Sequence, residues 1–193
     1  MLKKLLIGLV VVVIALAGIG MLLPRSITVT RSTTINATPE QVFPLIASPR
    51  EWPRWSAWNK RDPNMTITYS GPAAGAGAKW DWKSESQGDG SMVFTEANAP
   101  TSASFELTIV GMGPPSTGTF RLTPSGGSTT LEWTMTSDMG AGPVGRWFGL
   151  YFPSMLRKDF DEGLAGVKQL AESAPAPAAA PAATPVPAGD SAK

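Results

Sequence analysis

The chain contains no cysteine and no histidine. Those two absences remove structural zinc sites, thiolate nucleophiles, Ser-His-Asp triads and the two-histidine metalloprotease helix, each of which needs one of those side chains. Any catalysis would have to rest on Asp, Glu, Lys, Arg, Tyr or Ser, and nothing in the residues asks for a metal or a cofactor. With no cysteine there is no disulfide, which fits either a reducing compartment or an exported domain with enough core to do without one. Charge is scarce as well, at 16% of the chain. From Ser26 to Ser173 twelve Lys and Arg stand against fourteen Asp and Glu, a net of −2. A nucleic-acid partner calls for a clustered basic surface, so none is expected.

What is present first is a long apolar run. Leu5 to Leu23 is nineteen uncharged residues, which as a helix would span roughly 28 Å, close to the hydrocarbon layer of a bilayer. Lys3 and Lys4 precede it and favour a cytoplasmic amino terminus by the positive-inside bias. The alternative is a cleaved signal peptide, for which Ala15-Leu16-Ala17 supplies an A-x-A triplet. Because the run continues six residues beyond Ala17, residues 1–25 read as an uncleaved anchor. Under either reading the remainder is exported, which places the domain on the outer, periplasmic side of an inner membrane.

Beyond the anchor, Ile27 to Ile35 alternates apolar and hydroxylated residues as a half-buried strand requires, with Arg31 on the apolar parity. A bulge or strand edge turning Arg31 to solvent explains this best. Thr38-Pro39-Glu40-Gln41 is a helix start with a capping box, and Pro44 and Ser48-Pro49 read as interruption and end. From Met65 onward six further alternating segments follow, centred on Ile67, Trp80, Phe94, Phe105, Phe120 and Trp133, and turn residues separate them. The glycines of 71–77 lead into one of these strands and lack a Gly-Lys-Ser/Thr ending, so they form a turn and not a phosphate loop. Pro143 to Ala171 carries one apolar helical face, through Leu156, Phe160, Leu164, Val167 and Leu170. Pro153 divides off an apolar segment, 147–152, suited to a lid or pocket mouth or to plain core packing. Residues 173–193 are Ala and Pro repeats, expected to be a disordered, polyproline-like tail.

Glu51-Trp-Pro-Arg-Trp-Ser-Ala-Trp58 is the most unusual stretch. Its three tryptophans are three residues apart, so on a helical turn they would form one aromatic ridge. Core packing and a ligand wall are both open to such a ridge.

Strand, two short helices, six strands and a long final helix is the order of the helix-grip fold. The residues sharpen it: Ala37-Thr-Pro-Glu-Gln-Val-Phe43, Trp52-Pro-Arg-Trp-Ser-Ala-Trp58, Asp62-Pro-Asn-Met65, Tyr69-Ser-Gly-Pro72, Gly75-Ala-Gly-Ala78 and Gly163-Leu-Ala-Gly-Val-Lys168. Together they resemble the polyketide cyclase/dehydrase branch of the START/Bet v1-like (SRPBCC) superfamily over about residues 27–171. The resemblance implies an α+β fold in which a seven-stranded antiparallel sheet wraps a long C-terminal helix, as a domain over residues 26–172, with a cavity between sheet and helix. Pro44 departs from the pattern, and no catalytic motif of the family is matched.

Strand parity and the resemblance together nominate the cavity residues: Trp55, Trp58, Tyr69, Trp80, Trp82, Phe94, Phe105, Phe120, Trp133, Phe160, Gly163 and Leu164. An aromatic lining with few polar anchors suits a hydrophobic small molecule or lipid. The leading expectation is therefore a membrane-anchored, extracytoplasmic binding module. A cyclase- or dehydratase-like enzyme and an interaction module with a filled cavity are the alternatives. Asp81, Glu106 and Glu132 fall on polar strand faces, which leaves Tyr69 and Glu96 as the residues an enzyme would have to use.

Overall fold

The computed structural model describes residues 1–174, so the expected tail, residues 173–193, lies outside the described residues except for Ser173, which is the last residue of the final helix, and Ala174. An apolar helix, α1 (Leu2–Leu22), is followed by β1 (Ser26–Ile35) and three short helices, α2 (Pro39–Ala47), α3 (Trp52–Trp55) and α4 (Ala57–Arg61). Six strands come next: β2 (Thr66–Ser70), β3 (Lys79–Lys83), β4 (Gly90–Asn98), β5 (Ser102–Ile109), β6 (Ser116–Ser125) and β7 (Ser128–Asp138). The long α5 (Pro143–Ser173) closes the fold. The sheet is antiparallel throughout, in the order β1-β7-β6-β5-β4-β3-β2, with sequence neighbours paired except where β1 crosses to lie beside β7. This is the helix-grip architecture that the alternating segments and the final amphipathic helix imply.

Several local expectations are corrected. The short helices number three, because Ser56 adopts an extended conformation (φ −66°, ψ 132°) and splits the tryptophan ridge into α3 and α4. Pro44 does not interrupt α2. It sits on the exposed side of a continuous nine-residue helix, where only one backbone bond is forgone. Pro153 likewise lies inside α5 and does not divide it. For Arg31 the strand-edge expectation holds and the bulge does not: β1 is an edge strand that leaves Arg31 exposed, and the β1–β7 register runs unbroken from Ser26↔Asp138 to Ile35↔Thr129. From this edge strand Arg31 reaches Asp161 of α5 with two bonds of 2.6 and 2.9 Å. The bulge lies instead between β4 and β5, at Phe94/Glu96.

The same edge is tied to α5 further along. Lys168 Nζ donates to the Thr34 carbonyl at 2.6 Å, and the Asn36 amide donates to Glu172 at 2.7 Å. α5 therefore runs alongside β1 and covers an edge that would otherwise expose unpaired backbone groups. At the start of α2 the capping box forms as expected, with the Thr38 amide donating to Gln41 Oε1 at 2.9 Å.

The core is an aromatic cluster between sheet and helices. Trp52 is at its centre, with ring centroids 4.5 Å from Trp55, 5.0 Å from Trp80 and 5.8 Å from both Phe105 and Trp133. Its indole N–H donates to the Ile46 carbonyl at 3.0 Å, and that of Trp55 to Leu45 at 2.9 Å. Two large amphipathic rings can be buried here because each polar atom finds a backbone acceptor. Trp133 stacks on Phe160 of α5 at 3.9 Å with an 8° interplanar angle. Gly163 and Gly166 let α5 come down on α3, since a Cβ on Gly166 would lie 2.9 Å from the Trp55 carbonyl oxygen.

Candidate functional site

The aromatic cluster fills one half of the space between sheet and helix and leaves the other half hollow. An inner chamber of about 180 Å³ is walled by α4, by β3 to β5 and by the middle of α5. It opens into an outer groove of about 460 Å³ between the β5–β6 turn and the start of α5. Leu107, Ile109, Met112, Met135, Phe148 and Phe152 line both, so the two are continuous.

The strand alternation that builds the core also builds this wall. Met92, Leu107 and Met135 share the inward parity of Phe94, Phe105 and Trp133 but sit nearer the end of the sheet where β1 begins. At that end methionines join the aromatic side chains in the wall. All six methionines between residues 26 and 173, namely Met65, Met92, Met112, Met135, Met139 and Met155, line one chamber or the other. Methionine is unbranched and polarisable, and it re-forms its surface around differently shaped apolar guests.

Of the twelve residues nominated from the sequence, Trp58, Trp80 and Trp82 line the chamber. Trp55, Phe94, Phe105, Phe120, Trp133, Phe160, Gly163 and Leu164 are buried in the core and do not line it. Tyr69 lies apart, on a shallow surface groove, with the Arg50 guanidinium 4.4 Å from its ring centroid. Burial raises its phenol above the ordinary value, and the Arg50 charge opposes that rise. Glu96 is exposed at the bulge. Trp52 of the tryptophan ridge and Phe148 and Phe152 of the apolar segment 147–152 also line the chambers, whereas the methionines and a polar group at the inner end had no counterpart in the sequence reading.

That polar group is an ion pair. Arg61, the last residue of α4, donates to both carboxylate oxygens of Asp159 in α5, one bond measuring 3.3 Å. The Asp159 side chain is only 8% exposed, and Arg61 covers it from the solvent side. The hydrogen bond to Asp159 holds the guanidinium above its ordinary value. In the lining of the same chamber Ser56 is 1% exposed, and its hydroxyl has no protein partner. Asp62, one residue past Arg61, accepts from Ser84 Oγ at 2.5 Å and from the Asn64 amide at 3.0 Å, which fixes the loop that carries Met65 to the wall. Chemically this is a mainly apolar container with one charged contact in its inner chamber, the Arg61–Asp159 pair, and Asp138 at the rim of its outer groove. Among the described residues no cluster of acidic side chains could hold a metal ion.

A seven-stranded antiparallel sheet gripping a long C-terminal helix over an internal apolar cavity defines the START/Bet v1-like class. Residues 26–172 match the family described as "Polyketide cyclase / dehydrase and lipid transport", and the chain belongs to that family. Solved structures agree in fold. Protein CV1439 from Chromobacterium violaceum is 15% identical, with 77% of this chain and 98% of that one covered and a TM-score of 0.54. The KanY protein is 19% identical, with coverages of 76% and 98% and a TM-score of 0.57. The di-domain ARO/CYC protein BexL, from the BE-7585A biosynthetic pathway, is 16% identical, with coverages of 78% and 52% and a TM-score of 0.56. At these identities the likeness is one of fold alone. No curated protein matches the chain.

Proposed function

We propose that this protein is a membrane-anchored binding module that holds a hydrophobic small molecule or lipid on the extracytoplasmic side of the inner membrane. The observation that carries the reading is the methionine-lined cavity, continuous from a buried chamber to an open groove. Burying about 300 Å² of apolar ligand surface is worth roughly 7 kcal/mol, which sets an upper limit of about 10 μM affinity for that much surface before ordering costs are subtracted. The family's own description includes lipid transport as well as cyclisation, which fits such a container.

The inner end narrows the class of ligand. Ser56 Oγ lacks a hydrogen-bond partner, and a buried hydroxyl left unpaired costs about 1–3 kcal/mol. A guest with an apolar body and one hydrogen-bonding group, directed at Ser56 and the Arg61–Asp159 pair, suits this arrangement better than a pure hydrocarbon. The enzyme reading is weaker. Asp159 is the one acidic side chain of the inner chamber, and both of its oxygens are engaged by Arg61.

The anchor rests on α1, the one helix among the described residues long and apolar enough to cross a membrane. By itself such a helix fits an anchor or a signal sequence. Retention is favoured by its packing on the domain: Gly20 is buried, and Arg146 donates to the carbonyls of Met21 and Leu23 at the end of the helix.

Native mass spectrometry of the full chain released from membranes tests the binding. The expected result is an apolar adduct that the variant Met135→Trp, which fills the junction of the two chambers, no longer carries. Equal adducts on both proteins, or none on a folded wild-type chain, would remove the ligand reading.

A further inference from the structure

The cavity opens at the same end of the fold from which α1 departs. Ser26, three residues after Leu23, pairs with Asp138 at the end of β7, and the Met139 amide donates to the Arg25 carbonyl at 2.7 Å. Asp138 and Met139 are themselves part of the groove wall. The Arg25 side chain closes on Asp138 at 2.8 Å, so the link between helix and groove rim is fixed by both backbone and side chain.

α1 also packs on the start of α5. Gly20 lies so close to Pro143 and Trp147 that a Cβ there would be 2.7 Å from each, and the Trp147 indole donates to the Leu16 carbonyl at 3.0 Å. The first turns of α5 are thus held beside the last two turns of α1. In this segment Val144, Phe148 and Phe152 face the groove, at a spacing of four. Leu150 and Tyr151 point away from it and are 58% and 63% exposed, and Val144 is 80% exposed. Such a run of large apolar side chains, continuous with a helix apolar on every face, marks a surface meant to be covered. From Pro143 to Lys158, α5 carries Arg146, Arg157 and Lys158 and no acidic residue, whereas Asp159, Asp161 and Glu162 follow directly. Tyr and Trp on an apolar face suit the headgroup level of a bilayer, where such amphipathic rings are enriched on both sides.

The geometry points to the outer leaflet of the bilayer as the partner of this surface: the groove is a membrane-facing mouth, and its ligand passes from lipid to cavity without crossing bulk water. This rests on the anchored reading above and adds to it a side, an entrance and a source for the ligand.

The chain has no native cysteine, so single cysteines can be labelled cleanly. Full-length protein is reconstituted into phosphatidylethanolamine–phosphatidylglycerol vesicles with a nitrobenzoxadiazole label at one of three positions. Val12→Cys reports α1. Leu150→Cys reports the outward face of α5. Thr123→Cys reports the exposed side of β6, toward the opposite end of the sheet. Spin-labelled lipids should quench the labels at 12 and 150 and leave that at 123 unquenched. Quenching at 12 without 150 would overturn the membrane-facing mouth while leaving the anchor intact. Quenching at neither would remove the anchor and the mouth together, and quenching at all three would show non-specific adsorption and also overturn the proposal. As a second measurement, Leu150→Asp with Tyr151→Asp, both outside the cavity lining, should slow transfer of a pyrene-labelled fatty acid from these vesicles into the protein. The amount bound at equilibrium should not change. An unchanged transfer rate would overturn entry through this face.

Discussion

The guanidinium of Arg61 closes on the carboxylate of Asp159 across the inner end of the cavity, joining α4 to α5 at the one charged contact in a chamber whose other polar lining is Ser56, Asn59 and Gln87. The two partners are unequal, because the Asp159 side chain is 8% exposed and that of Arg61 is 38% exposed. Arg61→Met therefore strands a buried carboxylate. Breaking a fully buried pair costs about 3–5 kcal/mol, and partial solvent screening of Arg61 reduces this to roughly 2 kcal/mol. Asp159→Asn leaves a guanidinium free to turn to water and should cost about 1 kcal/mol or less. Denaturant midpoints of the two full-length variants check the order. Equal losses would show that the pair is effectively solvent-exposed.

Gly166 and Gly163 give a second asymmetry. Alanine in mid-helix normally gains about 1 kcal/mol over glycine. Here a Cβ on Gly166 would lie 2.9 Å from the Trp55 carbonyl oxygen and 3.0 Å from its Cβ, and one on Gly163 would lie 3.0 Å from the Trp133 ring. Gly166→Ala should therefore lower stability by about 1–2 kcal/mol, in the range of overpacked cores and against the propensity trend. Gly163→Leu should lower it further. Thermal melting decides, and a rise in melting temperature for Gly166→Ala would show that α3 moves away easily.

The strands and the closing helix were legible because period-two and period-3.6 patterns need only one side of each element to be buried. Parity tells which way a side chain points and not how far along the sheet the packing stays solid. Phe94, Phe105 and Trp133 point inward, and so do Met92, Leu107 and Met135. The first set meets Trp52 and Trp55 and fills the space, while the second faces the hollow. Two signals could have separated them. One was the methionines, all six of which in the domain turn out to line the chambers. The other was Ser56, whose extended backbone separates Trp55, which is wholly in the core, from Trp58 on the cavity wall, while Trp52 belongs to both. The Arg61–Asp159 pair spans almost a hundred residues of sequence and left no local pattern to read.

Acid should loosen the junction between α1 and the groove. Asp138 is held below its ordinary value of 3.8 chiefly by the Arg25 hydrogen bond, and Asp62 below the same value chiefly by Ser84. Glu172 is held below 4.5 chiefly by the Asn36 amide. A carboxyl whose value is lowered by folding contributes stability that is complete above its unfolded value and is lost as pH falls through the folded one. Stability should therefore be flat in this respect near neutrality and decline below about pH 4. Asp138→Asn and Glu172→Gln should each make that decline shallower. An acid limb identical to wild type in both would show that these bonds do not persist in solution.

The final prediction concerns whether α1 stays on the protein. Cleavage after Ala17 would remove the Leu16 carbonyl that accepts the Trp147 indole. It would also leave Gly20, Met21 and Leu23, which meet Pro143, Trp147 and Arg146, on a six-residue apolar stub with too few turns to hold a helix. A retained α1 keeps these bonds, and its nineteen-residue apolar run is long enough to anchor the chain. The mature protein is therefore expected to retain Met1–Ala17, to remain in the membrane fraction after a carbonate wash, and to be digested by protease added outside the inner membrane. Gly20→Leu should displace Trp147, expose the start of α5 to the same protease and leave membrane retention unchanged, because the apolar run is untouched. A soluble mature chain beginning at Gly18 would show that α1 is a signal sequence and that its packing on α5 is lost on export.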